Sequence, residues 1–113
     1  MKGLHFDPDR RFAWAQPGLT AGEITAAAAE HGLAVPFGDT ASVGIGGLTT
    51  GGGIGFLTRK FGLTIDNLVA AEVVTADGRI LAVDEERHPD LFWAIRGGGG
   101  NVGVVTRFVY RLL

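Results

Sequence analysis

The sequence predicts an α+β fold in which helices flank one antiparallel sheet, and three observations lead there. Short runs rich in β-branched and aromatic residues are joined through tight-turn signals, as antiparallel neighbours are. Two helical segments with their own start and stop signals interrupt those runs, giving the order strand, strand, helix, loop, strand, strand, helix, strand. No repeat, charge block or linker divides the 113 residues, a length that suits one domain and is too short for two. With 46% hydrophobic and 19% charged residues, the chain can bury a core and lacks the composition of a disordered segment.

Each element has a local cause. Gly3-Leu4-His5-Phe6 and Arg11-Phe12-Ala13-Trp14-Ala15-Gln16 form two short strands around the turn Asp7-Pro8-Asp9-Arg10, a hairpin. Thr20-Ala21-Gly22-Glu23 fits a capping box, with Leu19 and Ile24 at the positions of a hydrophobic staple. Ile24, Ala27, Ala28 and His31 follow at helical spacing, and Gly32-Leu33 supplies the left-handed stop, so the first helix is predicted over Thr20–His31. Phe37–Phe56 is so rich in glycine that neither an ordinary helix nor a strand is expected there, only a folded loop. Leu68–Thr75 and Arg79–Val83 are joined through Ala76-Asp77-Gly78, and Asp-Gly between apolar runs signals a hairpin. Pro89 opens a short helix whose apolar positions Leu91, Phe92 and Ile95 close at Gly97, and a final strand runs from Val102 to about Leu112.

Composition removes several function classes. Ten basic against twelve acidic residues give a net charge of -2, so no basic field draws in a nucleic-acid backbone or an anionic membrane. The absence of cysteine removes disulfides, thiolate metal sites and cysteine nucleophiles, and the scattered carboxylates and histidines support no metal site. Neither a signal peptide nor a run of apolar residues long enough to span a membrane is visible, which makes a cytoplasmic location the expectation.

Glycine carries the signal. Nineteen glycines, concentrated in two runs, can serve positive φ, close backbone packing, or close approach of backbone amides to a ligand; lined up, such amides cradle phosphate oxygens. Both familiar phosphate-loop templates fail. There is no G-x-x-x-x-G-K-[ST], and Gly44-Ile45-Gly46-Gly47-Leu48-Thr49 has threonine where the dinucleotide fingerprint ends in Gly or Ala. Counting glycines therefore leaves packing, turn and ligand roles open.

The order of residues is more specific. Thr40-Ala41-Ser42-Val43-Gly44-Ile45-Gly46-Gly47-Leu48-Thr49-Thr50-Gly51-Gly52-Gly53-Ile54-Gly55-Phe56 and its continuation to Asn67 resemble the first signature of a known family: the FAD-linked oxidases with a vanillyl-alcohol-oxidase-type (PCMH-type) FAD-binding domain, in their berberine-bridge-enzyme-like branch. Pro89-Asp90-Leu91-Phe92-Trp93-Ala94-Ile95-Arg96 and the following Gly97–Thr106 are similar to the second signature, with Val102 where phenylalanine is usual. The two signatures and the turns between them cover essentially the whole chain.

That resemblance implies half of a PCMH-type FAD-binding domain, with FAD as cofactor. The first glycine stretch would lie along the pyrophosphate and the isoalloxazine ring and the second at the adenosine end. Carried over by position, the cofactor-binding residues are Thr40, Ser42, Val43, Gly44, Gly47, Gly51, Gly52, Gly55 and Phe56, with Asn101, Gly103 and Val104. The family's histidine-bearing loop, which bonds covalently to the flavin, has no match here, and Thr40 stands where the branch places a second attachment through cysteine. The resemblance thus implies residues 1–113 as a partial domain without the N-terminal half or the substrate domain. It implies no catalytic residue and no metal ligand in this chain, and oxidation of an alcohol, sugar or amine-type substrate by the complete relatives. A non-catalytic nucleotide-binding or interaction fragment that complements a separate chain is the alternative, and an exposed sheet edge could also support self-association.

The remaining conspicuous side chains read as structural. His31 falls in a helix's last turn, His88 at a helix entrance, and His5 on a strand outside any flavin-linking motif. Trp93 is expected in the core with Phe92 and Ile95, Arg59-Lys60 as a solvated pair, and Asp66-Asn67 as a cap or turn.

Overall fold

The computed structural model describes residues 1–113. β1 (Leu4–Asp7) and β2 (Phe12–Ala15) form the first hairpin, α1 (Ala21–Ala29) follows, and α2 (Ile45–Thr50) and α3 (Thr58–Phe61) lie in the glycine-rich half. A 3₁₀ turn at Thr64–Asn67 leads into β3 (Leu68–Val74) and β4 (Ile80–Val83). Then come α4 (Pro89–Ile95), a second 3₁₀ turn at Gly99–Val102, and β5 (Val104–Arg111). The five strands form one antiparallel sheet in the order β1-β2-β5-β3-β4, so the two hairpins meet on either side of the last strand. The fold is the expected α+β arrangement of an antiparallel sheet with flanking helices.

Local signals produced most of these elements. The Glu23 amide donates to Thr20 Oγ1 at 3.2 Å and the Thr20 amide to Glu23 Oε2 at 2.9 Å, which completes the capping box. At the other end the Leu33 amide donates to Ala28 O and the Gly32 amide to Ala29 O, both at 3.0 Å, with Gly32 at φ +67°. This closing motif takes residues 30–31 into the stop, so α1 ends at Ala29 rather than at His31. The β3–β4 hairpin turns on Gly78 at φ +83°, and Pro89 occupies the first turn of α4. β5 begins at Val104, two residues after the expected start, because the 3₁₀ turn retains Val102.

Two expectations are corrected. The glycine-rich stretch is not all loop. Ile45 and Thr49, one helical turn apart and both fully buried, hold α2 against the core, and that tertiary anchoring outweighs the cost of its glycines. Trp93 is not core: its neighbours Phe92 and Ile95 are buried at 1% exposure, whereas Trp93 is 74% exposed. At about 100° per helical residue, a side chain next to Phe92 and two before Ile95 turns off the buried face.

The core lies between the helices and one face of the sheet. Ile24, Ile45, Phe92 and Ile95 from the helices pack with Val73, Val83, Val105, Phe108 and Tyr110 from the strands. A register shift between Glu72 and Val73 leaves Thr106 as an extra residue in β5, and its hydroxyl donates to Glu72 Oε1 at 2.7 Å. No helix is long and apolar enough to cross a membrane.

Candidate functional site

The two glycine stretches, far apart in sequence, converge. The Gly97 amide donates to the Thr50 carbonyl at 2.9 Å, which ties the end of α4 to the end of α2, and α2 packs against the 3₁₀ turn Gly99–Val102. The approach to α2 is fixed from the other side. The Ala21 amide donates to Val43 O and the Gly22 amide to Ala41 O, each at 2.9 Å, and the Ile45 amide donates to Leu19 O at 3.0 Å. Residues 41–45 are thereby laid along the start of α1.

This arrangement leaves backbone donors free. The amides of Gly44, Gly46 and Gly47 on the first stretch, and of Gly99, Gly100 and Asn101 on the second, donate to no protein acceptor. Gly44 and Gly47 are exposed, and a Cβ built on either meets nothing within 4 Å. Exposed apolar side chains occur along the same two stretches: Phe56 is 86% exposed and Val104 66%, with Val43, Ile54 and Val102 also open. Open donors next to apolar surface suit a ligand that is anionic in one part and planar and apolar in another.

The other glycines named from the sequence serve the protein's own packing. A Cβ at Gly55 would lie 2.1 Å from Phe37 O, one at Gly103 would lie 2.7 Å from Val73 Cγ1, and one at Gly51 would lie 3.0 Å from Gly47 O. Gly52 is buried at φ +116°, its amide donates to Thr49 O and its carbonyl accepts from the Ile65 amide. Gly44 and Gly47 thus form the open part of the ridge, and Gly51, Gly52, Gly55 and Gly103 form its buried or tightly packed supports.

The remaining candidates lie around this ridge. Thr40 Oγ1 donates to Asp39 Oδ1 at 3.0 Å, and Thr40 borders a hollow of about 350 Å³ between α1 and residues 38–41. Ser42 is exposed beside Val43, and Asn101 Nδ2 donates to Gly98 O at 3.3 Å. The histidines lie elsewhere: His5 forms a tilted pair with Trp14 at 5.6 Å, His31 a tilted pair with Phe6 at 5.3 Å, and His88 occupies the N-cap position of α4 without a side-chain hydrogen bond. Lys60 and Arg59 are exposed, with Lys60 Nζ over the Phe61 ring. Asp66 Oδ2 accepts from the Leu63 amide, and Asn67 Nδ2 donates to Phe61 O and Leu63 O, so this pair turns the chain.

Sequence reasoning missed the side chains that hold the ridge in place. Thr49 and Tyr110 hydroxyls meet at 2.6 Å, both residues fully buried. Burial drives the Tyr110 phenol well above its ordinary value, against the smaller opposing effect of the Thr49 hydrogen bond. Thr64 Oγ1, also buried, donates to Pro36 O at 2.6 Å, and Gly53 packs so closely that a Cβ there would overlap that hydroxyl. The available signal was a threonine four residues after Ile45 inside a glycine run, a spacing that puts both on one helical face.

Comparisons with known proteins point to one family. The protein family described as FAD binding domain matches residues 1–84. The chain is 41% identical over 112 residues to (R)-6-hydroxynicotine oxidase of Paenarthrobacter nicotinovorans, covering 99% of this chain and 24% of that protein. Among solved structures it is similar to BBE-like #28 from Arabidopsis thaliana, with a TM-score of 0.94 and 43% identity over 99% of this chain and 23% of that one. It is also similar to the xylooligosaccharide oxidase of Myceliophthora thermophila C1, with a TM-score of 0.97 and 37% identity over 100% of this chain and 24% of that one. The chain spans about a quarter of the length of the curated relatives it matches, 23%, 25% and 26% of three of them.

Proposed function

This chain belongs to the family of FAD-binding domains of berberine-bridge-enzyme-like, FAD-linked oxidoreductases, and from that premise we propose that its glycine ridge is the surface that holds the cofactor. The observation that carries the proposal is the set of free amides at Gly44, Gly46 and Gly47, brought near those of Gly99, Gly100 and Asn101 by the packing of α2 on the second 3₁₀ turn, with Val43, Phe56 and Val104 exposed on the same stretches. The residues fit the group. Amides without a protein acceptor suit a pyrophosphate, hydroxyls at Thr40 and Ser42 suit polar atoms of the cofactor, and the exposed apolar side chains suit its rings.

FAD, when bound, supplies the hydride acceptor for oxidation of an alcohol, sugar or amine-type substrate, with oxygen as the final acceptor in the complete enzyme. The chain's own part is binding and orientation. Thr49, Tyr110 and Thr64 fix the ridge on the sheet so that its amides stay aligned. Val43, Phe56 and Val104 would cover the cofactor's apolar faces against water. No side chain at the ridge is placed to move a proton, so substrate binding and base catalysis fall to other parts of the complete enzyme. In this reading residues 1–113 are the second half of the FAD-binding domain. A non-catalytic role, complementing a separate chain that carries the rest, is favoured by the exposure of Ile54, Phe56 and Val104 around the ridge.

Titration of FAD into the chain, followed by flavin fluorescence, tests the assignment. The purified chain is expected to be colourless, to bind FAD weakly but saturably, and to turn over no substrate. Gly47→Val is expected to abolish binding while leaving thermal unfolding nearly unchanged, since its Cβ points to open space. No saturable binding, or binding indifferent to Gly47→Val, would overturn the role given to the ridge.

A further inference from the structure

We propose that Asp77 is a latent site of spontaneous isoaspartate formation, held shut in the folded chain by the side chains of Thr75 and Arg79. Asp77-Gly78 is the chain's one aspartyl-glycine pair, and it lies in the turn of the β3–β4 hairpin, where residues 76–80 are all exposed. Gly78 has no Cβ beside its nitrogen, so nothing crowds that atom's approach to the neighbouring carboxyl group. The site lies outside the glycine ridge, and its chemistry does not involve the cofactor.

Water is the only other reactant. The Gly78 nitrogen gives up its proton and bonds to Asp77 Cγ, one carboxyl oxygen leaves as water, and a cyclic succinimide results. Water then opens the ring. Addition at Cγ breaks the new bond and restores aspartate. Addition at the main-chain carbonyl carbon breaks the original peptide bond instead, and the chain continues through the former side chain as isoaspartate. One water is lost and one regained, and nothing is oxidised or reduced.

The folded turn opposes each requirement of ring closure. The Gly78 amide donates to Thr75 O at 2.9 Å, which commits the proton that the nitrogen must lose and fixes the peptide plane. Thr75 Oγ1 donates to one carboxylate oxygen of Asp77, and Arg79 Nε donates to the other at 2.8 Å, so the group that must swing toward Gly78 is tied on both sides. Those donors also favour the ionised carboxylate, whereas the leaving oxygen departs from the protonated form. The Thr75 hydrogen bond is the largest cause, desolvation opposes it and Arg79 adds to it; together they hold the carboxyl below its ordinary value. The unfolded chain has none of these restraints. Conversion would lengthen the main chain between Thr75 and Arg79, whose amide and carbonyl pair at 3.0 Å, and so would disturb the register Val74↔Ile80 of an edge strand that buries Val83.

Peptide mapping with electron-transfer fragmentation, which distinguishes isoaspartate from aspartate, tests the proposal on the 113-residue chain aged at neutral pH. The folded parent should accumulate isoaspartate at residue 77 about tenfold more slowly than the same chain held in concentrated urea, as the loss of two or three hydrogen bonds implies. Thr75→Val and Arg79→Ala should each raise the folded rate by about three- to tenfold, the equivalent of one hydrogen bond, while Thr75→Ser, which keeps the hydroxyl, should age like the parent. Circular dichroism before ageing shows which variants are folded; should Thr75→Val unfold, Arg79→Ala, at an exposed position, decides alone. No isoaspartate at residue 77 in urea, a folded parent that ages as fast as the urea-held chain, or a folded Thr75→Val or Arg79→Ala variant as slow as the parent would overturn it.

Discussion

The Thr49 hydroxyl and the Tyr110 phenol lie 2.6 Å apart, both fully buried, and so join the glycine-rich helix to the middle strand of the sheet. Neither group has another side-chain partner, and water does not reach them. Tyr110→Phe removes one partner and strands the other, at an expected cost of about 1–3 kcal/mol. Thr49→Val combined with Tyr110→Phe removes both and should recover part of that loss. Urea unfolding of the parent, the single variants and the double variant measures the coupling, and additive losses would mean the two hydroxyls act independently.

The same burial gives a pH dependence. Tyr110 is the only tyrosine, and its phenol is held well above the ordinary value of 10.0 in the folded chain. A group whose folded value is raised contributes stability that is complete below its unfolded value and is lost as pH climbs past it. Stability should therefore show no tyrosine-dependent loss through neutral pH and decline above about pH 10. Tyrosinate absorbance, followed beside circular dichroism, should rise only as the chain unfolds; ionisation of the folded chain near pH 10 would show that the phenol is reached by water.

A third expectation concerns α1. Thr20 and Glu23 satisfy each other's amides at its start, so Thr20→Ala should lower stability by about 0.5–2 kcal/mol, while Thr20→Ser should retain most of it. Thermal unfolding of the two variants separates the hydroxyl's contribution from that of the methyl group.

These cases also mark how far the sequence could be read. α1 was legible because its causes are local: the cap and the glycine stop lie within a few residues of the elements they bound. The two hairpins were legible for the same reason, through Pro8 and Gly78. α2 was not, because glycine's intrinsic penalty argues against a helix and the compensating contact comes from Tyr110, more than fifty residues away. Trp93 was misplaced because an apolar residue on a short helix is core or surface according to which neighbours pack on it. The family signatures located the glycine ridge, but the spacing alone could not separate Gly47, open to solvent, from Gly55, wedged against Phe37.

That last distinction yields the sharpest comparison. At Gly55 an added Cβ would lie 2.1 Å from the Phe37 carbonyl oxygen, and backbone on both sides would have to move. At Gly47, inside α2, the same methyl group meets nothing, and alanine loses less conformational freedom in a helix than glycine does. Gly55→Ala should therefore destabilise the chain by about 1–3 kcal/mol, as overpacking does, whereas Gly47→Ala should stabilise it by about 0.5–1 kcal/mol. Paired with FAD titration, the two variants separate support from contact: Gly47→Ala should keep the fold and weaken the cofactor, and Gly55→Ala should weaken both. Equal stability losses at the two positions would mean that Gly47, too, is held by the protein rather than left open for a ligand.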